Sequence, residues 1–564
     1  MLLRPPPNGR GRNPRIILGS LLLVLLLRQF AIAPQAALST ADRAPTGPGT
    51  LGGIVRIPFE SQAELAQLAS RLDIWEVHAR EEETKGHLIA RLASRADMAW
   101  LETLGVQPEI HTPLFAAPTT IPLFPCYRTI SELNAQLSRW ATDYPTLTEL
   151  RAIGTSYESR PLHALRLTNE RVGLDKPVLV IMAGIHGREL ITPEVAMAFA
   201  ARMLEGYGKD ADITWLLDHH QIEVLVSANP DGHVRNEAGQ PWAYWRKNAN
   251  PTNGFCDGTR FGIDLNRNST YQWGGIGASS HPCDDVYRGP AAASESETQA
   301  VQAFLQAVFP DQRPDDNTTP TPAETSGLFI TLHSYGNLVL WPWSYSSAEA
   351  PNAAALETLG RRLASFGGYT PKQASYLYPA SGTTDDFVYG KLGIASYTFE
   401  IGSSTDGFYP PCARYDELVL PNVEALLYAA KVTQAPYLAP AGPDTSQVSA
   451  TLASEPVTPT LSITARVAES RDGLMPITQA EAYIDAPPWA GGTPYALIPE
   501  DGAFDDDAEI VSGTITAVGL DPGQHIILAR GQSGSGVWGP LTAAFVRSQP
   551  EPWPYAVALP LVRK

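Results

Sequence analysis

The sequence contains three segments in which a histidine is followed three residues later by a glutamate, a spacing that two zinc ligands often have. They are His186 and Glu189 in "HGRE", His78 and Glu81 in "HARE", and His220 and Glu223 in "HQIE". With 11 histidines in the chain and glutamate at roughly 6% of an average protein, about 0.6 such pairs are expected by chance. The spacing alone is weak evidence, so the surrounding elements must show which pair could hold a metal.

The elements around two of the pairs argue against a shared metal ion. "HARE" lies on or at the end of the strand "DIWEVHAR", and "HQIE" opens the strand "QIEVLVSAN". Because side chains alternate between faces along a strand, residues three apart point to opposite sides of the sheet. These four residues are therefore predicted to be ordinary strand residues.

"HGRE" stands in a different place, between the apolar strand "VLVIMAGI" and the helix "ITPEVAMAFAARMLEGY". His186 and Glu189 can converge at this junction, since α/β sheets place ligand sites beyond the ends of their strands. His333 lies near the end of another strand, in "ITLHSYG", and could supply a third ligand. Two histidines and one glutamate leave one coordination position open, as a catalytic zinc requires.

The chain around these residues reads as several domains. The block at about 126–436 alternates strands and helices, which predicts an α/β domain with helices covering a mainly parallel or mixed sheet. Residues 53–110 follow the order β-α-β-β-α-β, which predicts a small ferredoxin-like α+β unit, and a Pro-rich linker at 111–125 joins the two. A second Pro-rich linker at 437–459 precedes short alternating strands at 460–550, which predict a β-sandwich of the accessory or interaction type.

The two ends of the chain differ from the rest. Residues 1–37 have a basic start, the twelve-residue apolar run "IILGSLLLVLLL" and then small residues, which predicts a signal peptide cleaved near Ala36 or Ala37. An uncleaved membrane anchor is the alternative, although the run is short for a spanning helix. Residues 38–52 read as a flexible leader. The tail at 551–564 is either a surface-retention signal or a final strand, and it is too short to span a bilayer.

The length, net charge and cysteine content of the chain exclude some classes of function. The chain has 564 residues, which predicts two to four domains, and a net charge of -18, which argues against a nucleic-acid partner. Export would permit disulfides, and the four cysteines allow three pairings. None lies in a CxxC pair, so a cysteine zinc site is not expected. The acidic stretches "PDDN" and "AFDDDAE" could bind calcium, but solvated loops are the favoured interpretation.

The block at about 126–436 resembles the zinc metallocarboxypeptidases, the carboxypeptidase A/B and carboxypeptidase T group. The resemblance rests on eight motifs in the family's order: "HGRE", "NPDG", "WRKN", "IDLNRN", "YRGP", "HSYG", "YPASG" and "YTFE". One such motif would be weak, but eight in order are specific. The resemblance implies a secreted hydrolase that removes the C-terminal residue of peptides and proteins, with one zinc ion in its catalytic domain.

The resemblance also implies roles for the catalytic residues. His186, Glu189 and His333 would bind the zinc. Glu400, in "YTFEIG", matches the general base and acid, and Arg246, in "WRKN", matches the residue that stabilises the oxyanion. This chemistry stands on its own, because zinc lowers the pKa of bound water from 15.7 to about 7 and a nearby carboxylate can accept the proton.

Further residues match positions that contact or surround the substrate. Asn266 and Arg267, in "LNRN", match the pair that grips the substrate's terminal carboxylate, and Tyr378 matches the mobile tyrosine that closes over it. Arg188 matches another arginine on the substrate side. Asp264 matches a carboxylate that orients a metal-bound histidine. Since a guanidinium binds a carboxylate bidentately, this set predicts an exopeptidase that acts at the C-terminus.

Substrate preference depends on one position. When "YPASGTTDDF" is aligned with the family from Tyr378 without gaps, Asp385 matches the family position at the base of the pocket that holds the substrate's C-terminal side chain. A buried carboxylate there favours substrates that end in Lys or Arg. A shift of one residue would place Thr384 there instead and would broaden the preference.

The N-terminal unit and the cysteines also have counterparts in the family. Its precursors carry a ferredoxin-like propeptide that covers the cleft, which implies a zymogen and an activating protease for this chain. The linker contains no Lys or Arg, which argues against cleavage there by a trypsin-like protease. Cys256 and Cys283 bracket the "LNRN" loop as a family disulfide does, and Cys126 and Cys412 would then pair. The protein is expected to be monomeric.

Two alternatives stay open at this point. The first is another hydrolase of the same fold, a peptidoglycan amidopeptidase or a deacylase, against which the complete carboxylate clamp argues. The second is a non-catalytic binding protein, which the presence of all three metal ligands and Glu400 disfavours.

Overall fold

A computed structural model provides the structure of the protein, and it describes eleven parts of the chain. They are residues 53–79, 85–92, 94–111, 125–173, 175–239, 243–252, 256, 261–453, 459–469, 475–517 and 520–548. The predicted signal peptide, leader and tail, and most of the 111–125 linker, lie outside these residues. Within the described residues, no helix combines the length and the apolar character needed to cross a membrane.

In the part of the N-terminal unit (53–111) that the structure describes, four strands and two helices follow one another in the order that the sequence predicts. The elements are β1 (Gly53–Phe59), α1 (Gln62–Ala69), β2 (Asp73–Ala79), β3 (Gly86–Leu92), α2 (Arg95–Thr103) and β4 (Glu109–Ile110). The sheet order is β2-β3-β1-β4. Ser61 and Ser94 cap the two helices by accepting backbone N–H groups of the first turn, and Gly105, at φ 73°, follows the end of α2.

Eight strands of the central unit (125–443), counted over its described ranges, form a mixed sheet, as the alternating pattern predicts. Its strands are β5 (Thr148–Thr155), β6 (Pro161–Leu167), β7 (Val178–Met182), β8 (Gln221–Leu225), β9 (Leu328–His333), β10 (Leu338–Trp341), β11 (Thr370–Gln373) and β12 (Ala395–Glu400). They are ordered β11-β10-β12-β9-β7-β8-β6-β5. The four middle strands, β12, β9, β7 and β8, are parallel.

Eight helices accompany this sheet in the described residues. They are α3 (Ile130–Asp143), α4 (Ile191–Gly206), α5 (Ala211–His219), α6 (Pro230–Glu237), α7 (Ser296–Val308), α8 (Ala353–Gly367), α9 (Thr384–Leu392) and α10 (Tyr415–Val432). Leu179 and Ile181 of β7 belong to the hydrophobic cluster that includes α3, α4, α5, α8 and α10. Val180 and Met182 alternate to the other face and pack with α7 and α9. Burial on both faces explains why the middle strands are almost wholly apolar.

The parallel strands bring distant residues to one edge of the sheet. His333 and Glu400 are the last residues of the neighbouring strands β9 and β12, and they stand opposite each other in the register. His186 follows the end of β7, which pairs with β9 on its other side. Residues that are up to about 200 positions apart in sequence therefore meet at the carboxyl ends of three adjacent strands, where open α/β sheets place their ligand sites.

Two disulfides join loops of the central unit. Cys126 pairs with Cys412, with a Cα–Cα distance of 5.7 Å, and Cys256 pairs with Cys283 at 5.4 Å. The first connects the start of the central unit to the loop before α10. Both pairings agree with those implied by the family resemblance.

The described residues of the C-terminal unit (444–548) form seven strands. They are β13 (Asp444–Ala453), β14 (Thr460–Ala468), β15 (Ile477–Ile484), β16 (Tyr495–Pro499), β17 (Ala508–Thr516), β18 (Gly523–Ser533) and β19 (Thr542–Ser548). They are paired in the order β13-β14-β17-β16-β15-β18-β19, and the hydroxyl of Thr542 in β19 donates to the carbonyl of Thr445 in β13. The predicted linker at 437–459 is therefore wrong in part, because ten of its residues form β13, whose pairing with β14 outweighs the local proline signal.

The C-terminal unit packs directly on the central unit. Tyr483, Ile526 and Leu528 belong to the same buried cluster as α4 and α10. Polar contacts surround this apolar contact: the Asp212 carboxylate accepts from Lys431 Nζ at 2.6 Å and from the backbone N–H of Ala543 at 2.8 Å. A shared core of this kind holds the two units together far more firmly than a flexible tether would.

His220 lies in this contact and gives it a pH dependence. Its ring is fully buried between Trp215 and Trp489, with ring centroids 5.1 and 5.9 Å away, and its ring nitrogens have no hydrogen-bond partner among the described residues. Burial lowers the pKa of His220 to about 3. In the unfolded chain, His220 has its ordinary pKa near 6.5 and therefore binds a proton more readily than in the folded protein. The free energy of unfolding consequently falls as the pH drops from 6.5 towards 3.

We expect the His220→Phe variant to lose part of this acid sensitivity. The native protein should lose about 1.4 kcal/mol per pH unit in this window from His220 alone, whereas phenylalanine has no proton to bind. Thermal unfolding of both proteins between pH 7 and pH 4.5 measures the effect as the fall in Tm. An equal fall in the two proteins would show that His220 does not titrate in this way.

Candidate metal centre and substrate cleft

The structure brings the three predicted metal ligands together. The Nδ1 of His186 lies 2.7 Å from Oε1 of Glu189, and the Nδ1 of His333 lies 3.1 Å from Oε2 of the same carboxylate. The two Nδ1 atoms are 3.2 Å apart, and all three side chains are buried. Among the described residues, this is the only group of three or more metal-type side chains whose ligand atoms lie within 4.8 Å of one another.

The donor set fits zinc. Nε2 of His186 is 3.2 Å from Oδ1 of Asp264, so a proton on Nε2 leaves the lone pair of Nδ1 free. That lone pair lies close to Nδ1 of His333 and to the Glu189 carboxylate. One cation could be bound by all three groups together. Burial alone would raise the pKa of Glu189, but His186 and His333 hold it well below its ordinary value, so the carboxylate is ionised.

Glycine is required in the turn that carries His186 and Glu189. A Cβ on Gly187 would lie 2.3 Å from the backbone carbon of Gly232 in "NPDG". Asn229, from the same motif, donates from Nδ2 to the carbonyls of Ile185 and Lys247, both at 3.1 Å. The motifs "HGRE", "NPDG" and "WRKN" are therefore packed backbone to backbone, which explains why they occur as a set.

Asp264 organises the positive side of the cleft. Its Oδ2 accepts from Nε and Nη2 of Arg246, at 3.0 and 2.9 Å, and its Oδ1 accepts the backbone N–H of Asn266 at 3.0 Å. Burial alone would raise its pKa, but Arg246 and Arg267 hold the pKa well below the ordinary value. One buried carboxylate thus orients a metal ligand and the guanidinium that faces the cleft.

The clamp residues line the same cleft. Arg267 is fixed by bonds from Nε to the carbonyl of Gly277 at 2.7 Å and from Nη1 to the carbonyl of Asn266 at 2.8 Å. The Asn266 side-chain oxygen accepts the backbone N–H of Thr384 at 2.9 Å. The guanidinium carbon of Arg267 lies 6.0 Å from the ring centre of Tyr378. These contacts hold the two clamp residues and the tyrosine around one space.

Glu400 and Asp385 complete the cleft. Burial raises the pKa of Glu400 to about 8, so the pKa of this carboxyl group lies near neutral pH. Asp385 lines the cleft and accepts a hydrogen bond from the Ser344 hydroxyl at 2.9 Å. Thr384 does not line it. This geometry favours the ungapped alignment over the shift of one residue.

Arg188 has a partner that the sequence did not predict. Its guanidinium pairs with the carboxylate of Asp73, at the start of β2, through Nη1 and through Nη2, the latter at 2.7 Å. Burial alone would raise the pKa of Asp73, but Arg188 lowers it to about 2. The neighbouring Glu76 accepts from the hydroxyl of Tyr335 at 3.1 Å. The N-terminal unit therefore reaches into the cleft, where Ile74 and Trp75 also line the walls.

All ten predicted catalytic, metal and substrate residues line one cleft, and Asp264 lies beside it. The ten are His186, Arg188, Glu189, Arg246, Asn266, Arg267, His333, Tyr378, Asp385 and Glu400. The sequence did not predict four further residues that line the cleft, Trp75, Tyr335, Ser344 and Phe408, or Asp73, which pairs with Arg188. The pairs in "HARE" and "HQIE" form no such site among the described residues, and Glu81 lies outside them.

Comparison with known proteins agrees with this geometry. The family model described as zinc carboxypeptidase matches residues 133–424. The chain is 33% identical to carboxypeptidase A2 of Mus musculus over 294 residues, covering 51% of this chain and 64% of that protein. It is 32% identical to carboxypeptidase B of Homo sapiens over 287 residues, covering 49% and 63%. It is also 32% identical to a zinc carboxypeptidase of Saccharothrix mutabilis subsp. capreolus over 293 residues, covering 50% and 64%.

These matches span slightly less than two thirds of the length of the three relatives. Among solved structures, carboxypeptidase A from Helicoverpa armigera aligns with a TM-score of 0.53 at 23% identity, covering 68% of this chain and 98% of that one. At this level of identity the alignment supports the fold alone.

Proposed function

Because the chain belongs to the zinc carboxypeptidase family, we propose that it hydrolyses the C-terminal residue of peptides and proteins and prefers Lys or Arg there. The observation that carries this proposal is that the candidate metal ligands His186, Glu189 and His333 line one cleft together with Glu400, Arg246, Asn266, Arg267 and Tyr378. The complete clamp supports this activity over the amidopeptidase, deacylase and binding alternatives.

His186, Glu189 and His333 would hold the zinc ion. Zinc, when bound, supplies a Lewis acid that polarises the scissile carbonyl and makes water a stronger nucleophile at neutral pH. The protein contributes the buried, ionised Glu189 and two imidazoles whose Nδ1 atoms converge on one point. Asp264 keeps the His186 ring in the required tautomer.

Two side chains carry the proton transfer and the charge stabilisation. Glu400 takes a proton from the attacking water and passes it to the leaving amine, a double role for which its raised pKa is suited. Arg246 is held by Asp264 with its guanidinium in the cleft, where it stabilises the negative charge that develops on the carbonyl oxygen.

The clamp makes the enzyme an exopeptidase. Arg267 and Asn266 bind the substrate's terminal carboxylate, and Tyr378 closes over it. At the base of the pocket, Asp385 pairs with the cationic side chain of a C-terminal Lys or Arg. Ser344 holds the Asp385 carboxylate through its hydroxyl.

The N-terminal unit acts as a propeptide that keeps the exported chain inactive. Support comes from its occupation of the cleft: Asp73 neutralises Arg188, and Glu76 binds Tyr335. An activating protease would cut in the 111–125 linker. Because no Lys or Arg occurs between Ala96 and Tyr127, that protease is not of the trypsin-like class.

The proposal is tested by measuring release of the last residue from blocked dipeptides that end in Arg, Lys, Phe, Leu or Glu. The protein is cleaved in the 111–125 linker and assayed with and without a zinc chelator. We expect release of Arg and Lys that the chelator abolishes and added zinc restores. Release of Phe or Leu in preference would contradict the pocket assignment, and no release from zinc-loaded protein would contradict the carboxypeptidase activity itself.

A further inference from the structure

A buried glutamate outside the cleft contacts the two segments that carry the arginines of the oxyanion site and the clamp. Glu295 stands at the N-cap position of α7 and is 1% exposed, yet its side chain makes no capping bond to the helix. It does not line the cleft, and neither the metal centre nor the clamp uses it directly. Its carboxylate therefore serves the loops around α7 rather than the helix itself.

The side chain of Glu295 contacts the segment that carries Arg246. Its Oε2 accepts from Nδ2 of Asn248 and from Nδ2 of Asn250, both at 2.8 Å. Asn248 exchanges two further hydrogen bonds with Ile263: its Oδ1 accepts the backbone N–H at 2.8 Å, and its own backbone N–H donates to the carbonyl at 3.0 Å. Because Asn248 is only two residues beyond Arg246, these bonds fix the backbone from which the guanidinium extends into the cleft.

The backbone of Glu295 contacts the segment that carries Arg267. Its N–H donates to Oδ1 of Asn268 at 3.2 Å. Nδ2 of Asn268 donates in turn to the carbonyls of Arg288 and Ala291, at 2.8 and 3.1 Å, so both ends of this amide are held. Asn268 is fully buried and directly follows Arg267 in the chain. The position of the clamp segment therefore depends on the start of α7.

We propose that Glu295 is a positioning residue that sets the distance between Arg246 and Arg267. It acts through Asn248 on the first arginine and through Asn268 on the second. This inference rests on the proposed function, in which one arginine stabilises the charge of the transition state and the other binds the substrate's terminal carboxylate. Both must contact the same substrate at once, and an error of about 1 Å in such an arrangement can cost about 10²-fold in rate.

Substitution of the Glu295 side chain should disturb Arg246 alone, because Asn268 is held by the backbone. Glu295→Leu removes the acceptor for the amides of Asn248 and Asn250. In the full chain, cleaved in the 111–125 linker and loaded with zinc, we expect kcat for a peptide ending in Arg to fall by about 10-fold to 10²-fold, with KM within about 3-fold. Glu295→Gln keeps an acceptor oxygen, so its kcat should stay within about 3-fold of the native value.

Inhibitor binding separates positioning from a general loss of folded enzyme. A phosphonate analogue of the same peptide carries the negative charge of the transition state, whereas free arginine occupies only the clamp and the pocket. Glu295→Leu should raise the inhibition constant of the phosphonate by the factor by which kcat/KM falls, and should leave that of arginine within about 3-fold. An inhibition constant does not depend on the fraction of enzyme that is folded, so unfolding alone would change neither value.

Asn268→Ala tests the other segment, with the opposite expectation. It should raise KM and the inhibition constant of arginine by about 10-fold and leave kcat within about 3-fold, because the terminal carboxylate is bound equally in the ground state and the transition state. Glu223→Gln is the matched control, since it replaces another fully buried carboxylate that does not line the cleft. It should change neither inhibition constant.

An unchanged kcat in Glu295→Leu, or equal changes in its two inhibition constants, would overturn the inference and leave the proposed function intact. If Glu295→Leu does not fold, Glu295→Asp takes its place, because it withdraws the carboxylate by one methylene group and should still weaken the phosphonate more than arginine. If the native protein cleaves no peptide, the proposed function fails. Crystal structures of the native protein and Glu295→Leu then decide: a shifted Arg246 guanidinium would support the inference, and an unmoved one would reject it.

Discussion

Replacing Glu400 with glutamine is expected to lower kcat/KM for peptides ending in Arg by about 10³-fold to 10⁴-fold. The amide keeps the size of the side chain but can no longer take a proton from water and pass it to the leaving amine. Glu400 is the last residue of β12, and it is not one of the three converging ligands, so zinc content should stay at one ion per chain.

The zinc content of the variant shows whether activity is lost because proton transfer is lost or because the metal site is damaged. Metal analysis and Tm are measured beside the activity, and Glu189→Gln serves as the matched variant, because it should lose both the metal and the activity. Activity of Glu400→Gln within 10-fold of the native enzyme would show that another group moves the proton. Loss of zinc from Glu400→Gln would show that Glu400 acts on the metal rather than on the reacting water.

Replacing Asp385 with asparagine is expected to abolish the preference for basic C-terminal residues. The carboxylate is 2% exposed, so a substrate cation in the pocket would be left without its buried partner. Removal of one member of a buried ion pair costs about 3–5 kcal/mol, which corresponds to a fall of about 10²-fold to 10⁴-fold in kcat/KM for Arg peptides. For Phe peptides, kcat/KM should stay the same or rise, because a neutral pocket is easier to fill with an apolar side chain.

Asp386 provides the control at the next position. It is also fully buried, but it accepts the backbone N–H groups of Ser344 and Tyr345 and does not line the cleft. Asp386→Asn should therefore lower Tm without reversing the Arg-to-Phe ratio. A reversal in Asp386→Asn but not in Asp385→Asn would mean that the residue facing the substrate is wrongly assigned.

The choice between Asp385 and Thr384 shows why the sequence alone predicts only some of the residues that line this pocket. Both residues lie in the first turn of α9, and successive residues of a helix point about 100° apart. A shift of one residue in the preceding loop would exchange them. The bond from the Thr384 backbone to Asn266 fixes the loop, and that bond joins residues 118 positions apart.

The strand β13 was missed for a related reason. The prolines on either side of it and its own small polar residues predict a linker locally, yet its backbone groups pair with β14, and the Thr445 carbonyl accepts from the Thr542 hydroxyl of β19. The free energy of sheet pairing depends on the partner strand more than on the strand's own residues.

The family resemblance implied the general base and the clamp, whereas the residues by themselves determined the order of elements and the candidate metal ligands. These follow from local causes: each ligand lies at the end of an apolar strand or in a turn, and periodicity and glycine positions identify such places within about ten residues. Only the tertiary structure decided that Asp73 pairs with Arg188, that Trp75 packs against Phe408 and that the C-terminal unit shares a core with the central unit. Those contacts join residues more than 100 positions apart, and their free energy comes from desolvation and packing that exist only once the units are assembled.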